Sequence, residues 1–193
     1  MEALDTVVES IERRRGNTTL ALLVAIDGHS AAGKSTLAGE LAARLDAALV
    51  HADDFYRDLT HDDRLALSPE QGVSSFFDWE RMRREALEPL RAHNQARFRR
   101  FDWSVGSGLT SDLVVVGARP IVIVEGVYSA RPEFDDLLDL KVLVEAPLTE
   151  RERRRRERHD LHLWEERWDA SEQHYFRFVR PADTFDVTVT GHA

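Results

Sequence analysis

The chain alternates between short, continuously apolar runs and longer stretches with apolar residues at helical spacing. Leu4, Val7, Val8 and Ile11 recur every three or four positions, and "RRRG" ends that pattern, so a helix is predicted over residues 2–15. "TTLALLVAID" then runs apolar without alternation, as a parallel strand buried on both faces does. "KSTLAGELAARL" returns to helical spacing. "AALVHADD" reads as a short strand ending in carboxylates, and residues 56–75 as a polar loop with a short helix. "DWERMRREALEPLRAH" is predicted helical with Asp78 as its N-cap. "ARFRRFDW" and "SDLVVVG" flank a Gly/Ser link, "SVGSG", and predict a small hairpin. "RPIVIVEGVY", "LKVLVEA" and "TFDVTVTG" are three further strands, with a long charged helical stretch over 148–178 before the last. Strands alternating with helices predict one parallel sheet covered on both faces, in a single domain spanning 1–193.

Composition narrows the partners. The 193 residues carry a formal charge of -9, which speaks against a general nucleic-acid or membrane-surface binder. With no cysteine, disulfides, thiolate metal sites and cysteine nucleophiles are excluded, and a reducing cytoplasm is compatible. The start, "MEALDTVVES", has no signal-peptide pattern, and the apolar runs are strand-sized. The expectation is a cytoplasmic protein with no nucleic-acid or membrane partner; a homo-oligomer stays open.

The chemistry centres on "GHSAAGKST" between the first strand and the second helix. Gly28-His29-Ser30-Ala31-Ala32-Gly33-Lys34-Ser35 fits the Walker A pattern, with Thr36 following. Glycines let successive N–H groups turn toward phosphate oxygens, and the helix beginning at Lys34 adds its positive end. Lys34 would reach the β- and γ-phosphates, and the Ser35 hydroxyl would meet Mg²⁺. No Asn-Lys-x-Asp base-reading segment is present, so a GTPase switch is not expected.

Ligands in open α/β sheets lie beyond the carboxyl ends of the strands, and two acidic positions fall there. Asp53, with Asp54 beside it, could take the proton of an attacking hydroxyl. Glu125 closes a buried apolar strand, as a carboxylate that holds Mg²⁺ directly or through water would. In "TERERRRRERHD", Arg151, Arg154, Arg155 and Arg158 share one helical face, while Glu150 to Arg154 and Glu152 to Arg156 form i,i+4 pairs. Most of these read as a solvated face; one or two arginines of a lid would neutralise charge on a transferring phosphoryl group.

Taken in order, "GHSAAGKST", "HADDFYR", "FDW", "IVIVEGVY" and the arginine-rich helix resemble the uridine kinase branch of the phosphoribulokinase, uridine kinase and pantothenate kinase family, from about residue 20 onward. That resemblance implies a P-loop NTPase three-layer sandwich: a central, mainly parallel five-stranded sheet, a small β-hairpin and a helical lid at about 148–165. It implies ATP with Mg²⁺, and a small-molecule acceptor with a hydroxyl group. Asp53 falls on the family's base, Glu125 on its strand-end Glu, and Ser35, Glu125 and Asp53 form the metal set. Arg151, Arg154 and Arg158 match the lid, with Arg154 and Arg158 assigned to catalysis beside Lys34. Phe101-Asp102-Trp103 resembles the segment whose Asp binds ribose. Asp53, Tyr56, Arg57, Phe98, Asp102 and Trp103 are the acceptor-pocket candidates.

The sequence also departs from that family. The His and Arg that follow the Tyr-Asp-Phe segment in uridine kinases are replaced by "SVGSG", and Asp54 stands where Ser is usual. The acceptor is therefore left among nucleosides, vitamin-like alcohols and antibiotic-type alcohols, with a non-kinase ATPase regulator as the reading from another class.

Overall fold

The computed structural model describes residues 2–16, 19–158 and 165–191, without the side chains of Arg158 and Glu165. Five strands form an all-parallel sheet: β1 (Leu22–Asp27), β2 (Ala48–His51), β5 (Ile121–Glu125), β6 (Leu140–Glu145) and β7 (Val187–Thr190), in the order β2-β5-β1-β6-β7. Strands β3 (Ala96–Phe101) and β4 (Leu109–Val116) form the expected antiparallel hairpin. The mainly parallel sheet of the sequence reading is thus entirely parallel.

The period-two alternation of the central strand divides the core. Leu22, Val24 and Ile26 face one side and meet helices α1 (Glu2–Arg14) and α2 (Lys34–Leu45) through Val7, Ile11, Leu37 and Leu41. Leu23 and Ala25 face the other and join Phe55, Phe76, Phe77, Phe98, Tyr128, Trp168 and Tyr175. Each of these side chains is buried, which at about 25 cal/mol per Å² of apolar surface makes the two faces the main stabilising term.

The stretch 56–75 holds two short helices where one was expected: α3 (His61–Ala66) and α4 (Pro69–Ser75). Each starts with a capping box, Thr60 with Asp63 and Ser68 with Gln71, a pattern readable in "THDD" and "SPEQ". The next helix starts at the expected cap, where the Asp78 side chain accepts from Arg81 N. It runs as α5 (Trp79–Met82), a π turn at Arg83–Leu87 and α6 (Glu88–Arg91). The charged stretch gives α7 (Leu148–Arg158) and α8 (Glu165–His174), which continues into a π turn at Tyr175–Val179. The middle of the expected lid, 159–164, lies outside the described residues. The two predicted pairs form, Arg154 Nε to Glu150 at 2.8 Å and Arg156 to Glu152 at 3.5 Å.

Gly28 leaves β1 at φ +148, and a Cβ there would sit 2.2 Å from the Val144 carbonyl oxygen of neighbouring β6. Backbone on a central strand cannot retreat as a flexible side chain would. Gly28→Ala is expected to destabilise by about 3 kcal/mol, lowering Tm by roughly 10 °C in a thermal melt.

Candidate functional site

The site forms where β1, β2 and β5 end on the same edge of the sheet. Between β1 and α2 the backbone curls through Gly28 (φ +148), Ala31 (φ +61) and Gly33 (φ +101). Gly33 caps α2 with no side-chain acceptor, so the first-turn N–H groups of the helix are left for another anion. Lys34 Nζ donates to the His29 carbonyl at 2.8 Å, which holds the ammonium folded over the loop. Ser35 and Thr36 are exposed at the helix start.

Three carboxylates at or just beyond the strand ends adjoin this loop, and each does something different. Asp27, at the buried end of β1, accepts from Gly28 N (2.7 Å), Tyr128 N (3.0 Å), Ala130 N (2.9 Å) and the Tyr175 hydroxyl (2.8 Å). Burial raises its pKa, against those hydrogen bonds and the charge of Lys34. It is saturated with donors and fixes the base of the loop. Glu125, at the end of β5, accepts from Ser35 Oγ at 3.1 Å and pairs with His51 Nδ1 at 2.6 Å. The hydrogen bond to Glu125 raises the pKa of His51.

Asp53 follows β2 in the short 3₁₀ turn Ala52–Phe55. Its carboxyl has no hydrogen-bond or ion-pair partner among the described residues. Protein crowding on its inner side, followed by the charge of Glu125, raises its pKa to about 6, against the pull of Lys34 and His51. The residue is exposed on its outer side, so an incoming molecule can reach it. Arg100 takes Asp54 in an ion pair at 3.2 Å, leaving Asp53 alone toward the loop.

The oxygen donors Ser35, Glu125 and Asp53 suit Mg²⁺, which is bound through one or two carboxylates plus substrate phosphates. No group of three or more His, Cys, Asp or Glu placed to hold a metal exists among the described residues.

Of the acceptor candidates, Tyr56 and Trp103 stand beside Asp53. Trp103 Nε1 donates to the Asp53 carbonyl at 3.3 Å, and its ring meets Tyr56 edge-on at 4.7 Å. Three others are engaged elsewhere. Phe98 packs on Phe55 in the core, because strand alternation turns Ala96 and Phe98 inward. Asp102 accepts from Ser104 N (3.0 Å) and Ser104 Oγ (2.5 Å), closing the hairpin link on itself. Arg57 Nε donates to the Phe77 carbonyl at 3.2 Å.

The lid arginines divide as well. Arg154 is buried, donating to Glu150 (2.8 Å) and to the Ala31 carbonyl of the loop (3.2 Å). Arg155 pairs with Asp169 at 2.9 Å, tying α7 to α8. Arg151 is half-buried, and its Nε has no partner among the described residues. The Arg158 side chain lies outside the described residues.

Sequence reasoning gave no role to Asp27, His51, Tyr128, Trp168 or Glu172. Asp27 carried a readable cue, an acid ending an apolar strand, the same cue that singled out Glu125. Glu172 carried none within a charged helix. Yet its carboxylate accepts from Ser30 N (3.1 Å), the Ser30 hydroxyl and Trp168 Nε1 (2.5 Å), and meets His29 Nδ1 at 3.1 Å. Tyr128 is buried at φ +67, and its hydroxyl has no partner among the described residues.

A parallel sheet with a glycine-rich loop curled onto a helix start, and carboxylates at the strand ends beside it, defines a P-loop nucleotide-binding protein. The chain belongs to the AAA domain family, which it matches over residues 24–171. A uridine kinase from Ureaplasma parvum is 27% identical over 145 residues, covering 69% of this chain and 67% of that protein. A nicotinamide riboside kinase from Eremothecium gossypii is 29% identical over 181 residues, covering 82% of this chain and 72% of its own. The structure of a possible uridine kinase from Bacillus stearothermophilus superposes with a TM-score of 0.72 at 21% identity, over 97% of each chain. The resemblance to uridine kinase-like P-loop kinases is borne out, at the level of a P-loop small-molecule kinase. No helix among the described residues is long and apolar enough to cross a membrane.

Proposed function

We propose that this protein transfers the γ-phosphate of ATP, with Mg²⁺, to a hydroxyl of a nucleoside or similar small alcohol. The observation that carries this reading is Asp53: a carboxyl with no partner among the described residues, held near Lys34 and Glu125 at the strand ends. A protein that only hydrolysed or sensed ATP would have little use for an acceptor base there. Asp53 takes the proton of the acceptor hydroxyl as that oxygen attacks phosphorus. The loop amides and Lys34 hold the phosphates, and Ser35 and Glu125 would hold Mg²⁺, which would supply positive charge against the phosphate oxygens. Arg154, already against the loop, steadies it, and Arg151 and Arg158 are the lid groups left to approach the transferred phosphate.

The two relatives named for uridine and for nicotinamide riboside favour a riboside as acceptor. Trp103, exposed beside Asp53 and backed edge-on by Tyr56, is the aromatic side chain placed to meet its base. Asp102 reaches a ribose hydroxyl only by leaving Ser104. The test is ADP release from Mg·ATP with a panel of ribosides and non-nucleoside alcohols. Release that depends on one class of added alcohol is expected. Release that proceeds at the same rate with no alcohol would identify an ATPase and sink the reading.

A further inference from the structure

The Glu172 carboxylate is a buried anion sitting on a loop built to receive anions. It grips the N–H of Ser30, and the carbonyl of that same peptide unit, His29 C=O, holds Lys34 Nζ. Lys34 is the side chain that reaches the β- and γ-phosphates. That peptide is clamped at one end by Lys34 and at the other by Glu172, where a triphosphate, one phosphate longer than a diphosphate, would bring more negative charge. Burial alone would raise the pKa of Glu172; the hydrogen bonds from His29 and Ser30 and the charge of Lys34 outweigh burial and hold it below the usual carboxylate range. Those partners favour its ionised form.

The clamp also reaches the acceptor side. Trp168, one turn before Glu172 on α8, donates its indole N–H to both Glu172 (2.5 Å) and Ser30 Oγ (2.9 Å). Its ring lies 5.8 Å from Tyr56, 5.7 Å from Tyr128 and 5.2 Å from Phe76. One helix therefore carries a carboxylate on the phosphate loop and an indole in the aromatic wall beside Asp53.

We propose that Glu172 is a specificity-determining residue of the nucleotide site: its carboxylate on Ser30 sets the balance between diphosphate and triphosphate binding and links that balance to α8. The proposal rests on the phosphate-loop part of the reading above. Like charges in a poorly solvated site repel strongly, and the γ-phosphate feels Glu172 more than the β-phosphate does. A ligand shifts such a contact only by its differential affinity for the two arrangements, so triphosphate loosens the clamp and diphosphate leaves it closed.

The experiment measures Kd for Mg·ADP and for the magnesium complex of AMP-PNP, a non-hydrolysable ATP analogue, by calorimetry in wild type and Glu172→Gln. The ratio of the two affinities is expected to move toward the triphosphate by about tenfold in the variant. A folded variant with an unchanged ratio, or one moved toward ADP, overturns the proposal. A merely structural loss would weaken both ligands alike. The second measurement needs no change at Glu172: the Trp168 indole N–H resonance of the wild-type protein, assigned with Trp168→Phe. It is expected to shift with AMP-PNP and to stay in place with ADP; an equal response to both overturns the proposal. Neither measurement involves phosphate transfer. Binding of neither nucleotide would bring down the phosphate loop itself, whereas failure of the acceptor screen would bring down only the kinase reading.

Discussion

Asp53→Asn should lower turnover by about a hundredfold or more while leaving the affinity for Mg·ATP within a few-fold of wild type. The amide keeps the size of the carboxyl and gives up only its basicity. Because no side chain among the described residues is bonded to that carboxyl, the substitution strands no partner, and the fold should hold. The pH profile supplies the independent mark. Asp53 works as a base only when ionised, and its pKa in the free enzyme is raised to about 6. Wild-type kcat/KM should therefore fall as pH drops through about 6, and this limb should be missing from the residual activity of the variant. Near-normal turnover in a coupled ADP-release assay would remove Asp53 from the chemistry.

Lys34→Ala acts on the other half of the site. The ammonium is buried over the loop and bonded to His29 O, so its loss takes a positive charge away from the phosphates and a tether away from the loop. Charge-assisted contacts of this kind are each worth roughly 1.5–3 kcal/mol. Affinity for Mg·ATP should drop by about tenfold to a hundredfold, and turnover should fall with it. Titration of both nucleotides reads the effect directly. Unchanged affinity would show that phosphate binds elsewhere.

The generic half of the molecule is written in local pattern. The apolar runs, the helix spacing around "KSTLAGELAARL" and the Walker A spacing each depend on neighbours a few residues apart, and each appears where it was expected. Asp53 and Glu125 were singled out as carboxylates at the ends of apolar strands, and both lie beside the loop, but the same cue at Asp27 marks a carboxylate bound up in the loop's base. Other positions depend on contacts that a local reading cannot see. Glu172 meets Ser30 across 142 residues of chain. Asp102 looked like a pocket carboxylate, but Ser104, two residues on, closes a turn with it. Phe98 looked like a pocket wall, yet the pleat of β3 sends it to the core. The two capping boxes before α3 and α4 could have been read, and a residue-by-residue search for Ser or Thr three places before an acid or amide would have found both.

Asp27 carries a consequence for how the protein comes into being. Its four donors include Tyr128 and Ala130, more than a hundred residues further along the chain, and Tyr175, 148 residues away. The phosphate loop precedes these partners in the chain, and the carboxylate beneath it gains its last donor, Tyr175, only once the segment following α8 has been made and docked. Closing contacts over such spans comes late in folding, since loop entropy must be met before they form. Nascent and truncated chains that end before Tyr175 would display a complete Walker A sequence without a finished phosphate cradle. The base of the phosphate loop is thereby tied to the segment around Tyr175: its last hydrogen bond forms only when two stretches 148 residues apart have met.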